Sequence, residues 1–344
     1  MLTHWNRNVS AESPNSISNV TIADIRSAAR RLNGVADHTP LLESPDLSRW
    51  LGGRVLFKAE GLQSVGSFKI RGAHNMISQL PPDVRARGVV AFSSGNHAQA
   101  VAAVAAHFKI PAVIVMPKDA PAAKIEGTRA RGADIVLYDR FTEDRESIGR
   151  RLAHERGATL VPPFDDPRII AGQGTVGLEI ATDCEQRGIA PDLVLVPCSG
   201  GGLVAGIATA VKAFWPDVAI IACEPERYDD TAQSLAAGRL VANTSTTPSI
   251  CDALMVNTPG TFTFAINRVL LSGAVAVSDS WVMTAMKTAK TELNLITEPG
   301  GAIGLAALLS QAVPLDGRTA VVVLSGSNVD RRLFDEALTD VDPT

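Results

Sequence analysis

The sequence predicts an α/β fold built on parallel β-sheets, and three observations support this prediction. Short apolar runs such as RVLFKAE (54–60) and PAVIVMP (111–117) have the length and composition of buried strands. Stretches with apolar residues at helical spacing, for example NHAQAVAAVAAHF (96–108), lie between them. The alternation of the two patterns continues along most of the chain, which is typical of right-handed βαβ units.

The first predicted helix, TIADIRSAARRL (21–32), has a threonine cap followed three residues later by an aspartate. The next predicted strands are RVLFKAE, GVVAFSSG (88–95), PAVIVMP, DIVLY (134–138) and TLVPP (159–163), and the helices among them are AHNMISQL (73–80), NHAQAVAAVAAHF, AAKIEGTRARG (122–132) and TEDRESIGRRLAHERG (142–157). The second half continues with the helices TVGLEIATDCEQRG (175–188) and LVAGIATAVKAF (203–214) and the strands DLVLVPCSGGG (192–202), VAIIACEPE (218–226) and TAVVVLSGSN (319–328). The strands are short, apolar and separated by helices, so we expect parallel pairing.

The chain has 344 residues, of which 46% are hydrophobic, so it can bury a core large enough for about two domains. We predict a flexible tail at 1–16, a large domain formed by 17–83 and 159–344, and a small inserted domain at 84–158. The formal net charge of −4 provides no basic surface, which argues against nucleic acid as a partner.

The four cysteines, Cys184, Cys198, Cys223 and Cys251, show no CxxC spacing and no zinc-binding histidine pattern. We expect buried free thiols in a reducing compartment. The sequence contains no apolar run long enough for a membrane span and no hydrophobic signal core near its start. The prediction is therefore a cytoplasmic protein without a membrane partner.

The segment SVGSFKIRGAHN (64–75) places Lys69 between Phe68 and Ile70. Burial beside these apolar side chains lowers the pKa of a lysine and favours the neutral amine. A neutral amine can attack an aldehyde and, once released, can act as a general base. Lys69 is therefore a candidate catalytic residue.

A glycine loop follows the strand LVLVP and precedes a helix that starts near Leu203. Its members are Ser199, Gly200, Gly201 and Gly202. Small residues at a helix N-terminus expose N–H groups to an anion, so we predict a phosphate site; a tight turn is the structural alternative. A dinucleotide site is a second alternative, because Gly200, Gly202 and Ala205 satisfy G-x-G-x-x-A and Glu224 follows the next strand.

Three further strand ends carry polar residues. Ser93, Ser94, Gly95 and Asn96 follow one strand and either cap the next helix or bind a carboxylate. Ser325 ends another strand, where it either bonds a ring nitrogen or completes a turn. Glu224, Asp229 and Asp230 follow a third; they suit a hard divalent cation, but taken alone they are more often a solvated acidic loop.

Taken together, these segments resemble the fold-type II pyridoxal-phosphate enzymes, in the group of serine/threonine dehydratases and serine racemases. The resemblance rests on an ordered set of motifs: SFKIRGA (67–73), SSGNHAQA (93–100), IAGQGT (170–175), SGGGL (199–203), EP (224–225), EPGGA (298–302) and LSGSN (324–328). It implies two open, mostly parallel twisted sheets flanked by helices, as in the tryptophan synthase β-like fold, with the small domain inserted in the large one. It also implies a homodimer.

The resemblance assigns roles around the cofactor, pyridoxal 5′-phosphate. Lys69 resembles the lysine that forms a Schiff base with the cofactor aldehyde, and Phe68 is implied to pack against the pyridine ring. Asn96 is implied to bond the ring hydroxyl and Ser325 the ring nitrogen. The implied phosphate loop is Ser199, Gly200, Gly201, Gly202 and Leu203.

The resemblance also implies a substrate site and a cation site. The substrate-binding residues are implied to be Ser93, Ser94, Gly95, Asn96, His97 and Arg145, with Arg145 placed to meet a second carboxylate. Ser94 would face Lys69 across the cofactor, where a racemase needs a proton donor. Glu224, the carbonyl of Tyr228 and Asp230 are implied to bind a divalent cation (Mg, Mn or Ca).

The activity implied is that of an ammonia-lyase that dehydrates and deaminates a small β-hydroxy amino acid, with L-threonine and L-serine as first candidates. Alternatives are threo-3-hydroxyaspartate ammonia-lyase and serine racemase. Phe164 stands where racemases tend to place asparagine, which favours a lyase. An NAD-dependent oxidoreductase using the Gly200 loop is the alternative from a different class.

Overall fold

A computed structural model describes residues 20–93, 95–120 and 122–339 of the chain. The predicted N-terminal tail (1–16) and the predicted catalytic residue Ser94 lie outside the described residues. The described part is an α/β fold with two sheets and helices on their faces. The predicted division into two domains, at 84 and 158, stays a prediction.

The larger sheet has six strands in the order β1-β2-β10-β7-β8-β9. The strands are β1 (Leu41–Glu43), β2 (Arg54–Ala59), β7 (Leu193–Pro197), β8 (Ala219–Pro225), β9 (Gly273–Val277) and β10 (Thr319–Leu324). The edge strand β1 pairs antiparallel with β2, and every other pair in this sheet is parallel. The predicted mostly parallel sheet is confirmed, with one antiparallel edge.

The smaller sheet has four parallel strands in the order β5-β4-β3-β6. The strands are β3 (Val89–Phe92), β4 (Ala112–Pro117), β5 (Asp134–Tyr138) and β6 (Thr159–Leu160). The predicted strand TLVPP pairs over only two residues. Pro162 and Pro163 have no N–H to donate to the ladder, so pairing stops before them.

Helices connect the strands of both sheets. In the first half they are α1 (Ile22–Leu32), α2 (Pro45–Trp50), α3 (Lys69–Ser78), α4 (Pro82–Ala86), α5 (Asn96–Phe108), α6 (Ala122–Arg129) and α7 (Arg145–Arg156). In the second half they are α8 (Pro167–Gln186), α9 (Gly202–Lys212), α10 (Asp230–Ala237), α11 (Thr261–Leu270), α12 (Asp279–Leu293), α13 (Pro299–Leu309) and α14 (Arg331–Thr339). Two short 3-10 helices span Glu60–Leu62 and Asp252–Leu254. No helix in the described ranges is both long and apolar enough to cross a bilayer.

Local sequence explains where the helices begin. The Thr21 hydroxyl accepts from the Asp24 N–H while the Asp24 carboxylate accepts from the Thr21 N–H, so the predicted capping box is present. Helix α8 begins at Pro167, eight residues before the predicted start. The Asp166 side chain caps this helix and Pro167 occupies its first turn, where a missing N–H costs nothing.

Close helix crossings fix α3, α8 and α9 relative to one another. A Cβ on Gly172 of α8 would lie 2.7 Å from the Arg71 carbonyl oxygen of α3. A Cβ on Gly206 of α9 would lie 2.5 Å from the Ile170 carbonyl oxygen of α8. Only glycine allows these backbones to approach so closely. Because Lys69 begins α3 and the glycine loop precedes α9, these crossings help to set the distance between the two.

A buried ion cluster also holds α3 in place. The Arg71 guanidinium donates two hydrogen bonds to the Glu60 carboxylate, both at 2.8 Å, and also pairs with Glu179 at 2.6 Å. Lys58 Nζ, fully buried, donates to Glu179 Oε2 at 2.6 Å. Buried charges are tolerated because they are paired and hydrogen-bonded in this way. The cluster anchors the backbone that carries Lys69.

Candidate active site

A pocket lies at the carboxyl ends of the parallel strands, where ligands bind in open α/β sheets. The pocket is lined by these residues from the predicted site: Phe68, Lys69, Ser93, Gly95, Asn96, His97, Arg145, Ser199, Gly200, Gly201, Gly202, Leu203 and Ser325. They come from the start of α3, the turn after β3, the start of α7, the loop after β7 and the end of β10. The fold thus brings together residues spread from position 68 to position 325.

Lys69, the first residue of α3, points its amine into this pocket. Its Nζ donates to the Pro163 carbonyl oxygen at 2.8 Å and lies 5.2 Å from the centre of the Phe68 ring. Among the described residues, no carboxylate lies within ion-pair distance of this amine. Desolvation lowers the pKa of Lys69 to about 8, and the charge of Glu298 opposes this shift. The amine is therefore partly neutral near pH 8.

The glycine loop presents unpaired donors to the pocket. Its carbonyl groups are engaged elsewhere, because Thr263 Oγ1 donates to the Gly200 oxygen at 2.5 Å and Asn267 Nδ2 to the Gly201 oxygen at 3.3 Å. The N–H groups of Ser199, Gly200 and Gly201 have no acceptor within the described part of the chain. Gly201 has a φ of 90°, which favours glycine.

These donors precede the N-terminus of α9, whose dipole also favours negative charge. Orphaned N–H groups, a helix N-terminus and a nearby amine are the features that a phosphate-bearing aldehyde requires. The pocket therefore fits pyridoxal phosphate.

Asn96 is held by two side chains. Its Nδ2 donates to Glu298 Oε1 at 2.6 Å, and its Oδ1 accepts from Asn328 Nδ2 at 2.7 Å. Glu298 is buried, and burial together with the charge of Asp252 raises its pKa to about 7, while the Asn96 bond lowers it. The orientation of the Asn96 amide is thus fixed from both ends.

His97 and Ser325 are also buried in the pocket wall. Burial lowers the pKa of His97 to about 3, and the nearby Lys69 adds to this shift, so the ring is neutral. Its Nε2 lies 2.9 Å from the Val161 carbonyl oxygen, and a carbonyl can only accept, so Nε2 is the donor. This bond ties α5 to the segment that follows β6.

Three charged side chains line the pocket in addition to Lys69 and Glu298. Arg145, at the start of α7, lies with its guanidinium carbon 5.8 Å from the centre of the Phe92 ring. Lys124 Nζ donates to Asp252 Oδ2 at 2.8 Å. Arg145 has no such carboxylate within ion-pair distance in the described ranges.

The residues predicted to bind a cation lie outside this pocket. The buried Glu224 carboxylate accepts from the N–H groups of Thr231 and Ala232, both at 2.9 Å. Asp230 is also buried, and its Oδ1 accepts from Asn243 at 2.8 Å while its Oδ2 has no partner in the described part of the chain.

Burial and the charge of Asp230 raise the pKa of Glu224 to about 8, and burial raises the pKa of Asp230 to about 7. Within the described ranges no group of three or more His, Cys, Asp or Glu side chains converges. Two carboxylates thus lie in one polar region, and one of them has an unpaired buried oxygen.

Sequence reasoning missed the roles of Glu298 and Lys124 as pocket residues. Glu298 begins the quoted EPGGA motif, but its contact with Asn96 spans 202 positions. The Lys124–Asp252 pair spans 128 positions. No local pattern could have paired these residues. The four cysteines are free and buried, as predicted.

Comparisons with known proteins agree with the cofactor that the pocket fits. The family model for pyridoxal-phosphate dependent enzymes matches residues 33–326. The chain is 41% identical to L-threo-3-hydroxyaspartate ammonia-lyase of Saccharomyces cerevisiae, over 91% of this chain and 95% of that protein. It is 39% identical to L-threonine ammonia-lyase of Thermotoga maritima, over 93% of this chain and 78% of that protein. The structure of maize serine racemase superposes with a TM-score of 0.86 at 38% identity, covering 93% of this chain and 97% of that chain.

The fold and the pocket define the class as an α/β enzyme of the fold-type II architecture. The chain belongs to the family of pyridoxal-phosphate dependent enzymes, in its ammonia-lyase and racemase group.

The pKa of Lys69 yields a pH prediction. Because the pKa is lowered to about 8, the amine loses its proton as pH rises through about 8. We expect the rate at which cofactor-free protein links covalently to pyridoxal phosphate to rise roughly tenfold per pH unit below about pH 8 and then to level off. Stopped-flow absorbance measures this rate. Nα-acetyl-lysine is the control, and its profile should continue to rise toward about pH 10. A protein profile that follows the control would contradict the lowered pKa.

Proposed function

We propose that this chain catalyses the dehydration and deamination of a small β-hydroxy amino acid to a 2-keto acid and ammonia, with L-threonine and L-serine as first candidates. The observation that carries the proposal is the position of the Lys69 amine. Among the described residues it has no carboxylate partner, and it lies in the same pocket as the donor-rich glycine loop. The names of the relatives, which include L-threonine ammonia-lyase, support the same reaction class.

The proposed binding of the cofactor uses residues from three strand ends and from the start of α3. The N–H groups of the 199–203 loop hold the phosphate, and Lys69 provides the amine that links to the aldehyde. Phe68 packs beside the ring. Asn96, held by Glu298 and Asn328, bonds the ring hydroxyl. Ser325 bonds the ring nitrogen; as a neutral hydroxyl it does not hold a proton there, which favours elimination over transamination.

When bound, pyridoxal phosphate supplies the electron sink for the carbanion that forms at the substrate Cα. The protein supplies the base and the orientation. Lys69 would also be the general base that takes the Cα proton, because a pKa near 8 leaves its amine partly neutral. Ser93, Gly95 and Asn96, at the start of α5, bind the substrate carboxylate. Ser94 and His97 complete this loop in the proposal.

A second substrate candidate, L-threo-3-hydroxyaspartate, is favoured by Arg145. This guanidinium lines the pocket without a carboxylate partner among the described residues, so it is available to a second substrate carboxylate. The name of the Saccharomyces cerevisiae relative supports this candidate.

The proposed divalent cation binds Glu224, the Tyr228 carbonyl and Asp230. The unpaired buried oxygen of Asp230 and the raised pKa values of both carboxylates support this site, since a cation would neutralise two buried acids.

The reaction is tested at Lys69. We expect Lys69→Ala to lose covalent attachment of pyridoxal phosphate and to lower ammonia release by roughly 10³-fold or more, because the base is removed. Borohydride reduction with mass spectrometry locates the attachment, and a coupled assay measures keto acid. Lys118→Ala, at an exposed lysine, is the control and should remain active. Full turnover of Lys69→Ala would refute the proposal.

The second carboxylate is tested at Arg145. We expect Arg145→Gln to lower kcat/KM for L-threo-3-hydroxyaspartate by about tenfold, equivalent to roughly 1.4 kcal/mol, and to change kcat/KM for L-serine much less. Arg150→Gln, an exposed position on the same helix, is the control. Equal losses on both substrates would exclude a contact with the second carboxylate.

The cation site is tested by melting temperature. We expect Mg²⁺ or Mn²⁺ to raise the Tm of the wild-type protein by several degrees. A ligand that binds only the native state stabilises it, here by about 1–3 kcal/mol in the free energy of unfolding. Asp230→Asn should abolish this increase, whereas Asp229→Asn on the neighbouring residue should preserve it. An identical increase in all three proteins would place the cation elsewhere.

A further inference from the structure

The outer part of the pocket carries three charged groups from different parts of the fold. Lys124 lies on α6, Arg145 begins α7, and Asp252 begins the short 3-10 helix Asp252–Leu254. All three line the same pocket as Lys69. Two are cations and one is an anion, so their formal sum is one positive charge.

Two of these groups neutralise each other. Lys124 Nζ and Asp252 Oδ2 are 2.8 Å apart, with side-chain exposures of 20% and 52%. The pair joins a helix that follows β4 of the smaller sheet to a segment that follows β8 of the larger one. An incoming carboxylate therefore meets a lysine whose charge is already countered.

Arg145 differs from Lys124 in this respect. Its neighbour Asp144 uses its carboxylate to cap α7, accepting from Ser147 at 2.9 Å. In the described ranges no carboxylate lies within ion-pair distance of Arg145, whose charge contributes only a minor part of the lowered pKa of Asp144. Arg145 is thus the cation of this trio that is open to a substrate carboxylate.

The charges of the pair extend into the pocket. Asp252 raises the pKa of the buried Glu298, and Lys124 lowers it. Glu298 in turn bonds Asn96, which begins α5 and belongs to the predicted substrate-carboxylate loop. Both members of the pair therefore act electrostatically on the space where a substrate would lie.

We propose that Asp252 is a specificity-determining residue that, by neutralising Lys124, limits the preference of the pocket for substrates with two carboxylates. The proposal rests on the proposed function and deepens it. With Asp252 charged, the trio carries one net positive charge; without it, Lys124 becomes a second free cation beside Arg145. An additional carboxylate on the substrate then gains a second attractive partner.

The test is a double-mutant cycle on the Lys124–Asp252 pair. The measured quantity is the ratio of kcat/KM for L-threo-3-hydroxyaspartate to kcat/KM for L-serine, in the holoenzyme. Asp252→Asn leaves two net positive charges, Lys124→Gln leaves none, and the double variant restores one. We expect Asp252→Asn to raise the ratio by roughly threefold to tenfold and Lys124→Gln to lower it by a similar factor, as for partly exposed charges. The double variant should return within about twofold of wild type.

Glu126→Gln, an exposed position on the same helix as Lys124, is the matched control and should leave the ratio unchanged. A ratio unaltered in both single variants, or lowered by Asp252→Asn, would overturn the proposal. So would a double variant that matches either single variant, because this would point to a structural effect and not to net charge.

A binding measurement separates this proposal from the reaction itself. Calorimetry of succinate and butyrate compares a dicarboxylate with a monocarboxylate of the same chain length and needs no turnover. We expect the preference for succinate to follow the same order, Asp252→Asn above wild type and Lys124→Gln below. If the holoenzyme releases ammonia from neither amino acid, the proposed function is refuted, while the binding ratio still decides the role of Asp252.

Discussion

The site depends on one physical constraint, a lysine amine placed inside the protein without a countercharge. Two other buried cations show the contrast. Lys58 and Arg71 both lie in the core, and each is paired with the Glu179 carboxylate. Lys69 has only the neutral Pro163 carbonyl within hydrogen-bond distance in the described part of the chain. For Arg71 the nearby Glu60 and Glu179 carboxylates outweigh desolvation and raise its pKa, whereas desolvation lowers the pKa of Lys69 and favours its neutral form. Arg71, a structural cation, and Lys69, the proposed reactive amine, thus lie only two residues apart.

The surrounding fold maintains this difference. The Arg71 ion cluster and the close crossing at Gly172 hold α3, the helix that begins with Lys69. The crossing at Gly206 fixes α9 against α8, and the donor-rich loop precedes α9. Amine and loop are therefore positioned by packed helices, and the distance between them does not rely on a flexible segment. The stability of the helix layer and the chemistry of the pocket are coupled through these contacts.

Much of this arrangement could be predicted from local sequence. Lys69 stands between apolar residues, and three consecutive glycines follow a buried strand, so each feature is visible in fewer than ten residues. Other elements gave no local signal. Helix α13 is buried on all faces and contains several glycines, and strand β9 is short and made of small residues, so neither shows the expected periodicity. Contacts such as Asn96–Glu298 join distant segments and emerge only from the tertiary fold.

The pocket also separates two physical tasks. Its inner part is formed by groups that desolvation drives toward neutrality: Lys69, Glu298 with a raised pKa, and His97 with a lowered one. Its outer part is formed by the acidic and basic side chains of Arg145, Lys124 and Asp252, which are partly exposed to solvent. In the proposed reaction Lys69 takes the Cα proton, and this step is the same for any amino acid with a leaving group at Cβ. Recognition of the remaining side chain depends on the outer charges. This separation allows a change at an outer residue to alter specificity without altering the inner groups. Proteins named for three different activities share 38% to 41% identity with this chain.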